Sequence, residues 1–282
     1  MPARVAGYQP GDLDALMAAG EVIWTGVEQV GDRDGRIALY LPEALPLLMP
    51  AAGMLADRGP VSERAAQIVE FLEKNGASFF PEIRSACGGG FPGEVLDALW
   101  ELVWRGEITN DTFHSLRERV HPASRRNERK DGPPGSPDFL RRLRARKPDD
   151  RVTGGRWSLL RHRKSKSLST TEWSANTAQQ LLTRYGIVTR EAAAAEEIPG
   201  GYSIIYPALK KMEESGLIRR GMFVFGLGAA QFAMPAAVDM LRGLRSASSE
   251  PESVVLAATD PANPYGAILP WAQNEEQPTD NS

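Results

Sequence analysis

The chain has 282 residues, 42% apolar and 24% charged, with a formal net charge of -3. These proportions leave room for two or three small hydrophobic cores and exclude a fibrous or wholly unstructured chain. A single cysteine, Cys87, excludes an internal disulfide framework; no apolar run approaches the roughly 20 residues of a membrane span; and the opening MPARVAGYQPGDLD lacks the apolar core of a signal peptide, so the cytoplasm is the expected compartment.

Residues 8–41 read as a short helix (Asp12 to Ala19), a strand (Glu21 to Gly26), a Gly/Asp turn and a returning strand (Arg36 to Leu41). The two helices that would complete such a unit are missing ahead of it, so residues 8–58 are predicted to be part of a module.

Residues 60–121 read as a complete one. Ala65, Ile68, Val69 and Leu72 line one face of a helix stopped by Gly76, and a second helix spans about Phe79 to Cys87. A third opens at Pro92 and turns Val95, Leu96, Leu99, Leu102 and Val103 inward. A short strand follows Gly106, and Asp111 is the predicted cap of a helix through Arg119.

Charge is distributed unevenly. Pro122 to Lys166 holds 15 Lys and Arg against 5 Asp and Glu, leaving the rest of the chain with 18 basic and 31 acidic residues. Pro, Gly and charge without apolar period make 122–154 a predicted disordered basic linker.

A last module is predicted over 155–246. It begins with a strand at Gly155 to Leu159. Ser169-Thr170-Thr171-Glu172 forms a capping box for a helix to Tyr185, and Thr189 caps a second helix. Gly200-Gly201 leads into a third with Ile204, Ile205, Ala208, Leu209 and Met212 on its apolar face. Strands at Leu217 to Phe225 and Ala230 to Met234 flank a GLG turn, and residues 247–282 read as an incomplete β segment and tail.

One template recurs three times: Leu13, Leu16, Gly20, Val22; Leu99, Leu102, Gly106, Ile108; Leu209, Met212, Gly216, Ile218. The first two apolar positions share a helix face, the glycine takes the left-handed turn that ends the helix, and the β-branched residue starts a strand. This is the helix-to-wing corner of a winged helix. The predicted fold class is therefore α+β, a tandem array of winged helices with the first truncated.

The third helices differ in charge. The middle one carries Glu94, Asp97 and Glu101, which repel nucleic acid. The last carries Tyr202, Ser203, Tyr206, Lys210 and Lys211, followed on the wing by Arg219 and Arg220. Phosphates are held by Lys, Arg and hydroxyl groups, so Arg190, Tyr202, Lys210, Lys211, Arg219 and Arg220 are the predicted contacts, with Arg156 in support. Trp100 and Trp104, four apart on an apolar helix face, read as core.

Other chemistry is not encoded. Gly-Lys never occurs, so there is no phosphate loop for ATP. Gly88, Gly90 and Gly93 satisfy G-x-G-x-x-G, but a helix rather than a buried strand precedes them, which disqualifies a dinucleotide site. His114, His121, His162 and Cys87 lack the spacing of a zinc set. No catalytic residue and no cofactor is predicted.

GDLDALMAAGEVIWTG with GRIALYLPE, GASFFPEI, DALWELVWRGEITNDTFHSLR, GRWSLL, LLTRYGIVTREAAAAE, GGYSIIYPALKKMEESGLIRRGMFVFGLGAAQFAMPAAVDMLR and LAATDPANPYGAILPW together resemble the carboxy-terminal region of Lhr-type (large helicase-related) superfamily 2 DNA helicases. The resemblance implies a protein family that couples ATP hydrolysis to 3′-to-5′ movement on single-stranded DNA, unwinds DNA and RNA:DNA hybrids and serves DNA repair. It implies winged helices with a β-barrel similar to AlkZ-type glycosylases, and assigns ATP and Mg to a helicase core that this sequence lacks. A fragment is thus expected, with single-stranded DNA or an RNA:DNA hybrid as ligand. Its protein partner would be a helicase core or a second copy. No Gln-x-Gln or Gln-x-Asp motif supports base removal; winged-helix assembly and an AlkZ-like glycosylase segment are the alternative roles.

Overall fold

The structure is a computed structural model that describes residues 5, 7–32, 34–50, 54, 59–89, 91–120, 154–163, 168–228, 230–246, 255–256 and 263–271. The chain divides into two compact units, one of residues 1–46 and 57–167 and one of residues 47–56 and 168–282.

The recurring template folds the same way in all three copies. Gly20, Gly106 and Gly216 have φ of 78°, 67° and 78°, a conformation closed to most side chains. Each glycine N–H donates to the carbonyl three residues back (Met17, Val103, Glu213), and the next N–H donates to the carbonyl five back (Leu16, Leu102, Met212). That pair of bonds satisfies the last carbonyls of the helix and releases the chain into the strand.

In the first unit, α1 (Pro10–Ala18) leads into the hairpin of β1 (Ile23–Val30) and β2 (Asp34–Tyr40), which pair antiparallel with a bulge between Gly26 and Glu28. A short α2 (Leu45–Leu48) follows, its last two residues belonging to the second unit. Then α3 (Glu63–Asn75), β3 (Ser78–Phe79), α4 (Phe80–Ala86), α5 (Pro92–Trp104), β4 (Ile108–Asn110), α6 (His114–Val120) and β5 (Arg156–Leu159) complete the unit. Ser62 caps α3 by accepting from the Ala65 N–H at 3.2 Å, and Pro92 opens α5 where no N–H is needed.

The sheet order is β3-β5-β4, all antiparallel. This places Arg156–Leu159 in the first unit, not at the head of the last module as the sequence suggested. Without β5, β3 and β4 have no strand between them, and Trp157 and Leu159, both buried, fill the core beside Trp100. The predicted linker therefore lies between α6 and β5, both of the first unit; residues 121–153 lie outside the described residues. Asp111 likewise departs from its predicted capping role, because its carboxylate accepts from Arg156 N and Nε at 2.7 and 2.8 Å.

The first module is not an appendage. Trp24 is fully buried, its indole N–H donates to the Asn110 carbonyl at 2.8 Å, and the Thr109 hydroxyl donates to the Trp24 carbonyl at 2.6 Å. Asp14 accepts from the Phe113 N–H and pairs with Arg117 at 2.8 Å. Glycine permits the closest approach: a Cβ on Gly26 would stand 2.3 Å from the Val103 carbonyl oxygen, and one on Gly35 2.5 Å from the Trp104 ring. Trp24, Trp100, Trp104, Trp157 and Phe113 form one continuous aromatic cluster.

The second unit contains α7 (Thr170–Tyr185), β6 (Ile187–Val188), α8 (Arg190–Ala195), α9 (Gly201–Glu214), β7 (Arg219–Gly221), β8 (Gln231–Ala233) and α10 (Pro235–Ser246), with sheet order β6-β8-β7. The capping box at Ser169 and Glu172 and the Thr189 cap both form. The predicted boundary at residue 58 moves: residues 47–56 belong here, where the Trp173 indole donates to the Leu48 carbonyl at 2.9 Å and Met54 packs on the core. Of the expected strand at Ser253 to Ala257 only Val255 and Leu256 are described, without regular structure. Farther on, Tyr265 and Leu269 form a lone bridge, and the Tyr265 and Trp271 rings stack.

Candidate nucleic-acid interface

The third helix of the second unit, α9, is amphipathic. Ile205 and Leu209 are buried, with Tyr202, Ile204, Tyr206, Ala208 and Met212 partly so. Ser203, Pro207, Lys210, Lys211 and Glu214 stand exposed at positions i, i+4, i+7, i+8 and i+11, one continuous face. Arg190 is exposed at the first position of α8, and Arg219 and Arg220 are exposed on β7 in register with Ala233 and Phe232. Among the described residues Lys210 pairs with Glu214 at 3.7 Å, while no carboxylate is paired with Arg190, Lys211, Arg219 or Arg220.

Tyr202 does not serve as predicted. Its hydroxyl donates to the Ala230 carbonyl at 2.5 Å, so its proton is not offered to a phosphate; it ties α9 to the residue before β8. Its ring meets Tyr206 at 5.8 Å, and Tyr206 stands edge-on to Phe232. Burial pushes the Tyr202 phenol up to about 12, with Tyr206 and Glu191 adding to the rise, while Arg190 and Arg220 pull against it. Arg156, by contrast, belongs to the first unit and is held by Asp111 at 2.8 Å.

The raised phenol has a consequence for stability. A proton held more tightly in the folded state gives stability that is complete below the unfolded tyrosine value near 10 and drains away as pH rises through about 12. Tyr185, which donates to Glu196 at 2.5 Å and is also raised to about 12, adds to the same alkaline loss. Tyr202→Phe should remove about 1 kcal/mol of the fall in stability between pH 10 and 12, a figure discounted because the side chain is only partly buried. Urea unfolding at pH 9 and pH 12 checks this; an unchanged difference between the two would contradict it.

The third helix of the first unit, α5, offers no such face. Ala98, Leu99, Trp100, Leu102, Val103 and Trp104 are all buried. Two of its acids have structural duties: Glu94 pairs with Arg64 at 2.9 Å, and Glu101 accepts from the Ser62 N–H and hydroxyl at 2.9 and 2.6 Å. The G-x-G-x-x-G stretch follows α4, a helix. Among the described residues no three His, Cys, Asp or Glu side chains could hold a metal ion, and no helix is long and apolar enough to cross a membrane.

Sequence missed Gln231, a polar residue buried on β8. Its side-chain oxygen accepts from the Phe223 and Val224 N–H groups, both at 2.8 Å. Its amide nitrogen donates to the Val224 and Leu227 carbonyls at 2.9 and 3.2 Å. Beyond Gly221 the backbone is bonded to this side chain rather than to a partner strand, and β7 stops there, short of the predicted Phe225.

Two winged-helix corners with the same strand order frame the comparison with known proteins. Residues 167–253 and 1–42 match winged-helix domains of large helicase-related protein, the fourth and third respectively. The chain carries winged-helix domains of the Lhr family. It is 38% identical over 288 residues to the "Lhr helicase/ probable uracil glycosylase" of Mycolicibacterium smegmatis, covering 98% of this chain and 18% of that protein. It is also 38% identical over 287 residues to the "Lhr helicase/uracil glycosylase" of Escherichia coli K12, covering 96% of this chain and again 18% of the relative. The chain therefore spans under a fifth of the length of these Lhr relatives.

Proposed function

We propose that the chain is a non-catalytic nucleic-acid-binding segment that serves an Lhr-type ATP-dependent 3′-to-5′ helicase in DNA repair, and that its second unit holds single-stranded DNA or an RNA:DNA hybrid. The observation that carries this is the exposed cationic set Arg190, Lys210, Lys211, Arg219 and Arg220 on α8, α9 and β7 of a winged helix, four of them without a paired carboxylate among the described residues. Each cation that meets a phosphate releases a counterion. Five contacts give a slope of about -3.5 in log affinity against log salt on single strands, a fall of about 130-fold between 50 and 200 mM. Fluorescence anisotropy on a single strand and on a hybrid tests it, and affinity indifferent to salt would refute it. ATP has no place in these residues, since the sequence has no phosphate loop.

For the first unit an assembly role is favoured, because the exposed charge on α5, Glu94 and Asp97, is acidic and repels phosphate. Uracil release by this chain from single-stranded DNA would replace the binding role with the glycosylase named for its relatives.

A further inference from the structure

The wing of the second unit combines three features that its phosphate contacts do not require. Phe225 is 102% exposed and Met222 73% exposed, although each such group loses free energy by facing water. The loop that presents them is not slack: four hydrogen bonds from the buried Gln231 side chain fix the backbone at Phe223, Val224 and Leu227, on both sides of Phe225. The charge carried by the wing itself is of one sign. From Ser215 to Pro235 there is no Asp or Glu, and the charged residues are Arg219 and Arg220.

An exposed ring on a braced wing that also carries two arginines without a paired carboxylate among the described residues matches a ligand with a flat apolar face and an anionic backbone. An unpaired nucleotide has both. Every base has a face that stacks on an aromatic ring, and ring contact adds to phosphate contact without selecting sequence. Fixing the loop in advance lowers the ordering cost of binding. A protein partner would need acidic groups around an apolar socket to satisfy the same wing.

We propose that Phe225 is a stacking platform for an unpaired base of single-stranded DNA, with Arg219 and Arg220 taking the neighbouring phosphates. This rests on the phosphate-binding reading above and adds to it a preference for bases that charge alone does not supply.

The test compares binding of the full chain to oligothymidylate and to an abasic strand of equal length, by anisotropy at fixed salt. The native chain should bind the base-bearing strand about tenfold more tightly. Phe225→Ala and Phe225→Leu should both abolish that preference while leaving the salt slope unchanged, and Phe225→Tyr should retain it. The ring is fully exposed, so the substitutions spare the core. Equal binding of the native chain to the two strands, with the salt slope present, overturns the stacking and leaves the phosphate reading standing. Loss of preference in Phe225→Ala but not Phe225→Leu also overturns it, since that result means a generic apolar contact. Absence of binding to either strand sinks both readings. Self-association of the native chain that Phe225→Ala abolishes, together with equal strand binding, assigns the ring to a second copy and overturns the proposal.

Discussion

Replacing Trp24 with alanine should destabilise the first unit by about 4 kcal/mol, against typical domain stabilities of about 5–15 kcal/mol. The indole is fully buried, lies 6.3 Å from the Trp100 ring and 5.9 Å edge-on from Phe113, and donates to the Asn110 carbonyl. Truncation removes the ring, opens a cavity bounded by an already rigid aromatic cluster, and strips the Asn110 carbonyl of a donor. Trp24→Phe, which keeps most of the apolar area, should cost about 1–2 kcal/mol. Urea unfolding followed by far-ultraviolet circular dichroism measures both. A loss below about 1 kcal/mol for Trp24→Ala would mean that the β1–β2 hairpin is only loosely attached, and the covered state of α5 would lose its support.

The corners of this fold are legible because their cause is local. A glycine at the end of an apolar helical stripe must take positive φ, and the β-branched residue beyond it must leave the helix; Gly20, Gly106 and Gly216 obey without help from distant contacts. The caps at Ser169 and Thr189 are legible for the same reason. Sheet membership is not local. β5 looks like the opening of the following module because the 35 residues between Val120 and Arg156 separate it from α6, and nothing in RWSL specifies which two strands it pairs with. The covering of α5 was equally hidden, since it depends on where Gly26 and Gly35 fall in the register of a hairpin.

At the candidate interface, side-chain type announced positive charge but not its availability. Tyr202 resembles a phosphate ligand in sequence and is instead a tie to Ala230; Gln231 resembles an edge polar residue and is the brace of the wing. In both cases a hydroxyl or amide is engaged by a backbone group 28 or 7 residues away along the chain, a partner no short pattern specifies.

The same distinction between charge and availability orders the cations. Arg219→Glu with Arg220→Glu should weaken single-strand binding about 25-fold at 0.1 M salt and reduce the salt slope from about -3.5 to about -2.1, the loss of two phosphate contacts, before any added repulsion. Lys210→Glu with Lys211→Glu should cost less, although it changes the same formal charge. Lys210 already faces Glu214 at 3.7 Å, so a phosphate must displace or share that carboxylate, and the contact gains correspondingly little. Arg219 and Arg220 have no such competitor among the described residues. Anisotropy titrations of both double variants between 50 and 200 mM salt decide the order. A larger loss from the lysine pair would move the contact to the exposed face of α9, and no loss from either would leave the second unit without a nucleic-acid role.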